Sequence, residues 1–177
     1  MNPTDEIVVI VDEQNHVVGS ATRREMRAKH LPHRSTYIMV FNSKGNLYVQ
    51  KRSPTKDIFP GYYDPFAGGV VAADESYETC AYRELEEEMG IREVPLTRLF
   101  EFYFADARAR VWGEVFACIY DGVIVLQEEE VESGEFLSID AIQQRAQSDP
   151  YTPDGLMALG RYLDLYPAGF PPLTRNG

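Results

Sequence analysis

With 177 residues, 17 basic and 28 acidic side chains and a net charge of −11, the chain has length for one core burying roughly 70% of its unfolded surface. Its field repels nucleic-acid backbones, no Lys/Arg-rich run offsets that, and no apolar run approaches about 18 residues, so nucleic-acid polymers and membrane spans are set aside. The start, MNPTDEIVVIVDEQN, has no basic or apolar leader region, and Cys80 and Cys118 lack metal-ligand or redox spacing; a cytoplasmic protein with two buried thiols is expected.

Residues 6–11 (EIVVIV) and 17–21 (VVGSA) are β-rich runs separated by the turn formers Asp12 to His16, which predicts a hairpin. Thr22 is placed to cap a short helix through Arg23 to Arg27, ending before Leu31-Pro32 because the residue preceding proline is pushed out of the α region. His33-Arg34-Ser35 leads into TYIMVF and, across Asn42 to Asn46, into LYVQKR, read as a second hairpin opening the core. His16, His30 and His33 have no H-x3-H pairing, and none is assigned as a ligand. Arg52 and Lys56 put positive charge near the segment that follows. Surface charge and phosphate binding read equally well, with Arg52 the better planar fork. Tyr62, Tyr63 and Phe66 form an aromatic cluster suited first to the core and second to stacking a base.

The stretch Gly69 to Ile91, GVVAADESYETCAYRELEEEMGI, is a glycine turn feeding a helix predicted over 75–89, with Asp74 as N-cap and Gly90 just past its end. Glu84, Glu87 and Glu88 stand at i, i+3 and i+4 and project from one face, and within the helix no Lys or Arg three or four residues further on relieves their repulsion. Something outside the helix is expected to neutralise them. Hard divalent cations, Mg²⁺ or alternatively Mn²⁺, take oxygen ligands, so this cluster facing a glycine turn suits one; a bare E-x-x-E-E is otherwise a solvated acidic face. Beyond it, TRLFEFYFA and ARVWGEVFACIYDG read as two long strands turning near Asp106. Next come VIVLQ, an acidic loop at Glu128 to Glu130, a strand at Gly134 to Ser138 and a helix over Ile139 to Gln147. A last amphipathic helix begins at Thr152-Pro153 and carries Leu156, Leu159 and Leu163, and residues 168–177 read as a loose tail.

The full spacing, Gly69-x5-Glu75-x7-Arg83-Glu84-Leu85-x-Glu87-Glu88-x-Gly90-Ile91, resembles the complete signature of the Nudix hydrolase family. Chance would produce it on the order of once in several million chains, which overturns the acidic-face reading. The resemblance implies one Nudix domain over 1–177: an α/β/α sandwich with a mixed central sheet and the box helix packed against it. Within it, an N-terminal hairpin and helix at 6–31 precede a core at 34–165. It also implies cleavage of a diphosphate in a small molecule of the nucleoside-diphosphate-X type. Metal ligands implied are Glu84, Glu87 and Glu88 with a backbone carbonyl at Gly69; Arg83, about 40° from Glu87 around an ideal helix, positions a glutamate. Glu75 is implied as a structural salt bridge. The general base is either Glu84 or a glutamate on a later loop, for which Glu130 is the best candidate beside Glu128, Glu129 and Glu132. LPHRSTYIMVF and QKRSPTKDIFPGYYDPFAGG are similar to the branch containing type I isopentenyl-diphosphate isomerase, and the chain as a whole resembles small bacterial YfcD-like Nudix proteins. In the isomerase a cysteine and a glutamate do the acid and base chemistry. Here Ala67 takes the cysteine's place, while Glu114 matches the glutamate, so hydrolysis is favoured over isomerisation. A non-catalytic binding module is disfavoured because every box acid is present. The oligomeric state is open, a homodimer included.

Overall fold

The structure, a computed structural model, describes residues 2–168, so the tail expected to be loose lies outside the described residues from 169 onward. The first hairpin forms as predicted: β1 (Ile7–Val11) pairs antiparallel with β2 (Val17–Thr22), and the Asp12 carboxylate accepts from the Gln14 and His16 N–H groups at 2.8 and 2.9 Å to fix the turn. Thr22 caps α1 (Arg23–Ala28), its hydroxyl accepting from Glu25 N–H at 3.1 Å.

The second hairpin is a correction. β3 (His33–Phe41) and β4 (Leu47–Arg52) pair only at Phe41↔Leu47, next to the turn, and then diverge. The chain after β4 fills the fork. β5 (Tyr63–Asp64) pairs with β4, Gln50 Nε2 donates to Phe66 O at 3.0 Å, and Ala67 exchanges two backbone hydrogen bonds with Ile38 at 2.7 and 3.0 Å. The same run continues between β3 and β1, with Thr36 N–H donating to Gly69 O and Val9 N–H to Val71 O, so the glycine turn is held on both sides. The fully paired partner of β3 is instead β7 (Arg110–Ile119), parallel from His33↔Val111 to Phe41↔Ile119. β7 in turn pairs antiparallel with β6 (Thr97–Ala105), and β4 with β8 (Val131–Leu137).

Strand alternation divides the core into two layers. Ile38, Val40, Phe116 and Cys118 face α2 (Tyr77–Met89) and meet Ala81, Leu85 and Met89. Tyr37, Met39, Phe41, Val115 and Ala117 face the opposite side, against Ile142 of α3 (Ile139–Arg145) and Ala158, Leu159 and Tyr162 of α4 (Pro153–Leu165). Helices therefore cover both faces of a mixed sheet: an α/β/α sandwich. No described helix is long and apolar enough to cross a membrane.

The box helix starts two residues later than predicted. Ser76, not Asp74, is the N-cap, its hydroxyl accepting from Thr79 N–H at 3.1 Å, because Glu75 is held outside the helix by Ala72 N–H at 2.9 Å and by Arg83. Gly90 ends it at φ 66°, a left-handed conformation that glycine adopts without strain. Two last-turn carbonyls are then satisfied from the next loop, Val125 N–H donating to Met89 O at 3.0 Å and Gln127 N–H to Glu88 O at 3.1 Å. That contact brings the acidic loop beside the box helix.

Candidate active site

Arg83 is the hub of the acidic face. Its Nε and Nη2 donate to the two carboxylate oxygens of Glu75 at 3.0 and 2.5 Å, and Nη1 donates to Glu84 Oε1 at 2.8 Å and Glu87 Oε2 at 3.2 Å. Burial pushes the Glu75 carboxyl up, but the Arg83 bonds and the Ala72 N–H outweigh it and hold the group below its ordinary value. Part of the neutralisation expected from outside the helix thus comes from inside it, four residues before Glu87.

Glu84 lies flat on Gly69, where an added Cβ would sit 2.5 Å from Glu84 Oε1, so a larger residue there would push that carboxylate out of its place. The Gly69 carbonyl, expected to face an ion, accepts from Thr36 N–H at 2.9 Å, so the ladder to β3 takes it first. Glu88 is 4% exposed, with only the long 3.5 Å approaches of Gly68 N–H and Gln50 Nε2 to Oε2. Burial, then the charge of Glu84, pushes its carboxyl up to about 8; burial likewise raises Glu84, against the pull of Arg83.

Glu84, Glu87, Glu88 and Glu130 line one cleft of about 370 Å³ together with Gly68, Gly69, Lys56, Gln127 and Arg23. Glu130 is ion-paired with Lys56, and its loop is pinned by Ser53 N–H donating to Glu130 O at 3.0 Å. Of its competitors, Glu128 and Glu129 are exposed and Glu132 pairs with Lys51 at 3.2 Å, and none lines this cleft. Arg52 does not reach it: Nε and Nη2 donate to Ile58 O at 3.2 and 2.9 Å and Nη1 faces Asp64 at 3.8 Å, so its fork clamps the fold. Arg23 was missed, because within RREMR it carries only the signal of a capped surface helix; in the fold it reaches the cleft, 3.7 Å from Glu6 and 3.4 Å from Asp57.

The family model of the NUDIX domain matches residues 31–155. The chain belongs to the Nudix hydrolase family. The Nudix hydrolase YfcD of Escherichia coli (strain K12) is 46% identical over 158 residues, spanning 89% of this chain and 87% of its own length. The Nudix hydrolase PA4841 of Pseudomonas aeruginosa is 43% identical over 159 residues, 90% and 94% of the two chains. Among solved structures, DR0079 from Deinococcus radiodurans superposes with a TM-score of 0.75 at 25% identity, covering 89% of this chain and 98% of its own.

In this Nudix hydrolase, no three His, Cys, Asp or Glu side chains among the described residues converge closely enough, as they stand, to hold a metal ion. Arg83 lies between the Glu84 and Glu87 carboxylates and draws both toward itself. The donor chemistry nevertheless fits a hard cation. All four acids present oxygen, and Glu84 and Glu88 are under-neutralised, so a cation would lower both carboxyls.

The isomerase pair is absent. Ala67 is buried and offers only a methyl group, and Glu114 is ion-paired with Arg98 and lines neither the cleft nor the cavity behind it; the β7 position that lines that cavity is Val111, with Ala109 just before the strand. The match of Glu114 to the isomerase glutamate therefore does not carry its position, because strand alternation turns Glu114 to the α2 face with its neighbour Phe116.

Proposed function

We propose that this Nudix hydrolase cleaves the diphosphate bond of a small molecule of the nucleoside-diphosphate-X type in the presence of Mg²⁺ or Mn²⁺. The observation that carries this reading is the gathering of Glu84, Glu87, Glu88 and Glu130, with Glu6 at the edge, into one cleft where only Arg23, Lys56 and Arg83 are there to neutralise them. Glu84, Glu87 and Glu88 are the ligands, with a glycine-turn carbonyl at 68 or 69 as a further donor. Bound there, the ion supplies charge stabilisation to the bridging and leaving phosphate oxygens.

The chain's own groups do the rest. Arg83 is a positioning residue: its charge-assisted bonds fix the rotamers of Glu84 and Glu87 through Glu75 behind it. Lys56 and Arg23 stand at the rim shared with the inner cavity and receive the substrate's phosphates, a role that passes to them from Arg52. Glu130, on the loop held beside the box helix, takes the proton from the attacking water once substrate phosphate draws Lys56 away.

The test is a hydrolysis screen of diphosphate compounds with Mg²⁺ and Mn²⁺, scored by products and including isopentenyl diphosphate with an isotope-exchange readout. Phosphorylated cleavage products without exchange are expected. Exchange into isopentenyl diphosphate, or binding of diphosphates with no cleavage of any, would overturn the reading in favour of an isomerase or a binding module respectively.

A further inference from the structure

Gln50, 3% exposed, follows the buried hydrophobic run Leu47 to Val49 of β4 and is buried with it. Its Nε2 donates to Phe66 O at 3.0 Å, and the same nitrogen stands 3.5 Å from Glu88 Oε2. Gly68 N–H approaches that carboxylate oxygen too, also at 3.5 Å. The other end of the amide is left out: Gln50 Oε1 is buried with no hydrogen-bond partner among the described residues. Turning the amide over would set Oε1 against two acceptors, the Phe66 carbonyl and the Glu88 carboxylate, and take Nε2 away from both. The fold therefore keeps an unpaired amide oxygen at a place where a side chain needed for packing alone would be apolar, and such an atom calls for an explanation.

The explanation lies on the box helix. Glu88 lines the carboxylate cleft, and its two oxygens have different surroundings: Oε2 faces the donors of Gln50 and Gly68, whereas Oε1 takes no hydrogen bond among the described residues. Arg83, which draws Glu84 and Glu87 to itself, makes no bond to Glu88, so the order of this carboxylate has to come from the β4 side. At 3.5 Å each approach is weak alone; what gives the pair a direction is that both fall on the same oxygen. We propose that Gln50 is a positioning residue for Glu88: with Gly68 N–H it keeps Oε2 at the inner wall and presents Oε1 to a cation in the cleft. The proposal rests on the metal-dependent reading of that cleft. A flexible carboxylate must be ordered before it can ligate, and loss of a partner behind a metal ligand typically costs about 10- to 100-fold in metal affinity.

Mn²⁺ binding to the full chain without substrate, followed by loss of the free-ion electron paramagnetic resonance signal, reads this without turnover. Gln50→Met keeps the bulk of the side chain and removes its donors, and is expected to raise the Mn²⁺ dissociation constant about tenfold or more. The bond to Phe66 O goes with it, so a mutant cycle separates position from fold. In a Glu88→Gln background Gln50→Met is expected to change Mn²⁺ affinity by less than about twofold, and in a Glu87→Gln background by the full factor. Undiminished affinity in Gln50→Met overturns the proposal, as does an equal loss in all three backgrounds, the result expected if Gln50 only supports the fold. A crystal structure of the wild-type chain with Mn²⁺ decides the point even where Gln50→Met does not fold. The ion on Glu88 Oε1, with Oε2 on Gln50 Nε2, is expected; an ion on Oε2, or a Glu88 turned away from Gln50, overturns the proposal while leaving the metal reading in place. A wild type that takes up no Mn²⁺ removes the metal reading itself, and the proposal with it.

Discussion

Arg83 touches Glu75, Glu84 and Glu87 but not Glu88, and the consequences of changing Glu87 and Glu88 differ because their burial differs. Glu88 is almost fully buried and carries a raised carboxyl, so Glu88→Gln mimics the form the fold already accommodates; Glu87, with half its side chain exposed, loses only one Arg83 contact as Gln. Both variants are expected to unfold near the wild-type midpoint while Mg²⁺-dependent hydrolysis is lost, measured by product release and thermal denaturation side by side. Undiminished turnover in both would remove the metal-site assignment. The base is a separate question, since a carboxylate bound to a cation is a poorer proton acceptor. Glu130→Gln is expected to lower kcat by about 10² to 10⁴ with KM and metal affinity little changed, the span typical of general-base loss. Full activity there, with a collapse in Glu84→Gln that still binds metal, would make Glu84 the base.

At the scale of elements, the end of the box helix does two jobs, stopping the helix and receiving the loop that carries Glu130. Gly90→Ala places a Cβ at φ 66° and 3.2 Å from Val125 Cβ, and is expected to cost about 1 to 2 kcal/mol in urea unfolding. A variant as stable as the wild type would show that the left-handed turn is dispensable. This stop was legible in the sequence, as were the one-face spacing of the box acids and the Thr22 cap, because each depends on residues within one turn of each other. The start was not: Asp74 and Ser76 are both good caps, and Glu75's bond to Ala72 N–H, seen only in the fold, decides between them. β3 and β4 show the same alternation whether their partner is adjacent or remote, so TYIMVF-turn-LYVQKR predicts a hairpin while the fork holds residues 63 to 67 instead. Arg52 is the better phosphate fork as a letter, yet only the direction of the side chains separates it, a fold clamp, from Lys56 at the cleft.

Across the whole molecule, an excess of 11 negative charges concentrates its cost where carboxyls are buried, and this makes stability depend on pH in a direction opposite to ordinary acid denaturation. Glu88 rises from 4.5 to about 8 and Asp64 from 3.8 to about 7, both chiefly through burial; between the unfolded and folded values the native state holds protons that the unfolded chain has released, so stability falls as pH rises. His33 works the other way. Burial, then the charge of Arg27, lowers it from 6.5 to about 3, so the unfolded chain takes up a proton the native state refuses, and stability rises with pH until about 6.5. The two effects oppose each other below 6.5, and only the acids act between about 6.5 and 8. In EDTA the unfolding midpoint is therefore expected to fall across that window and level off above it. With Mg²⁺ the ion replaces the same protons, so its stabilising increment should grow over the same interval, as binding to the native state adds to stability in proportion to affinity. Thermal unfolding at pH 6.5, 7 and 8, with EDTA and with Mg²⁺, reads both slopes. A metal-free midpoint that climbs through the window would contradict the buried, protonated state of Glu88, and a Mg²⁺ increment independent of pH would place the ion away from Glu84 and Glu88.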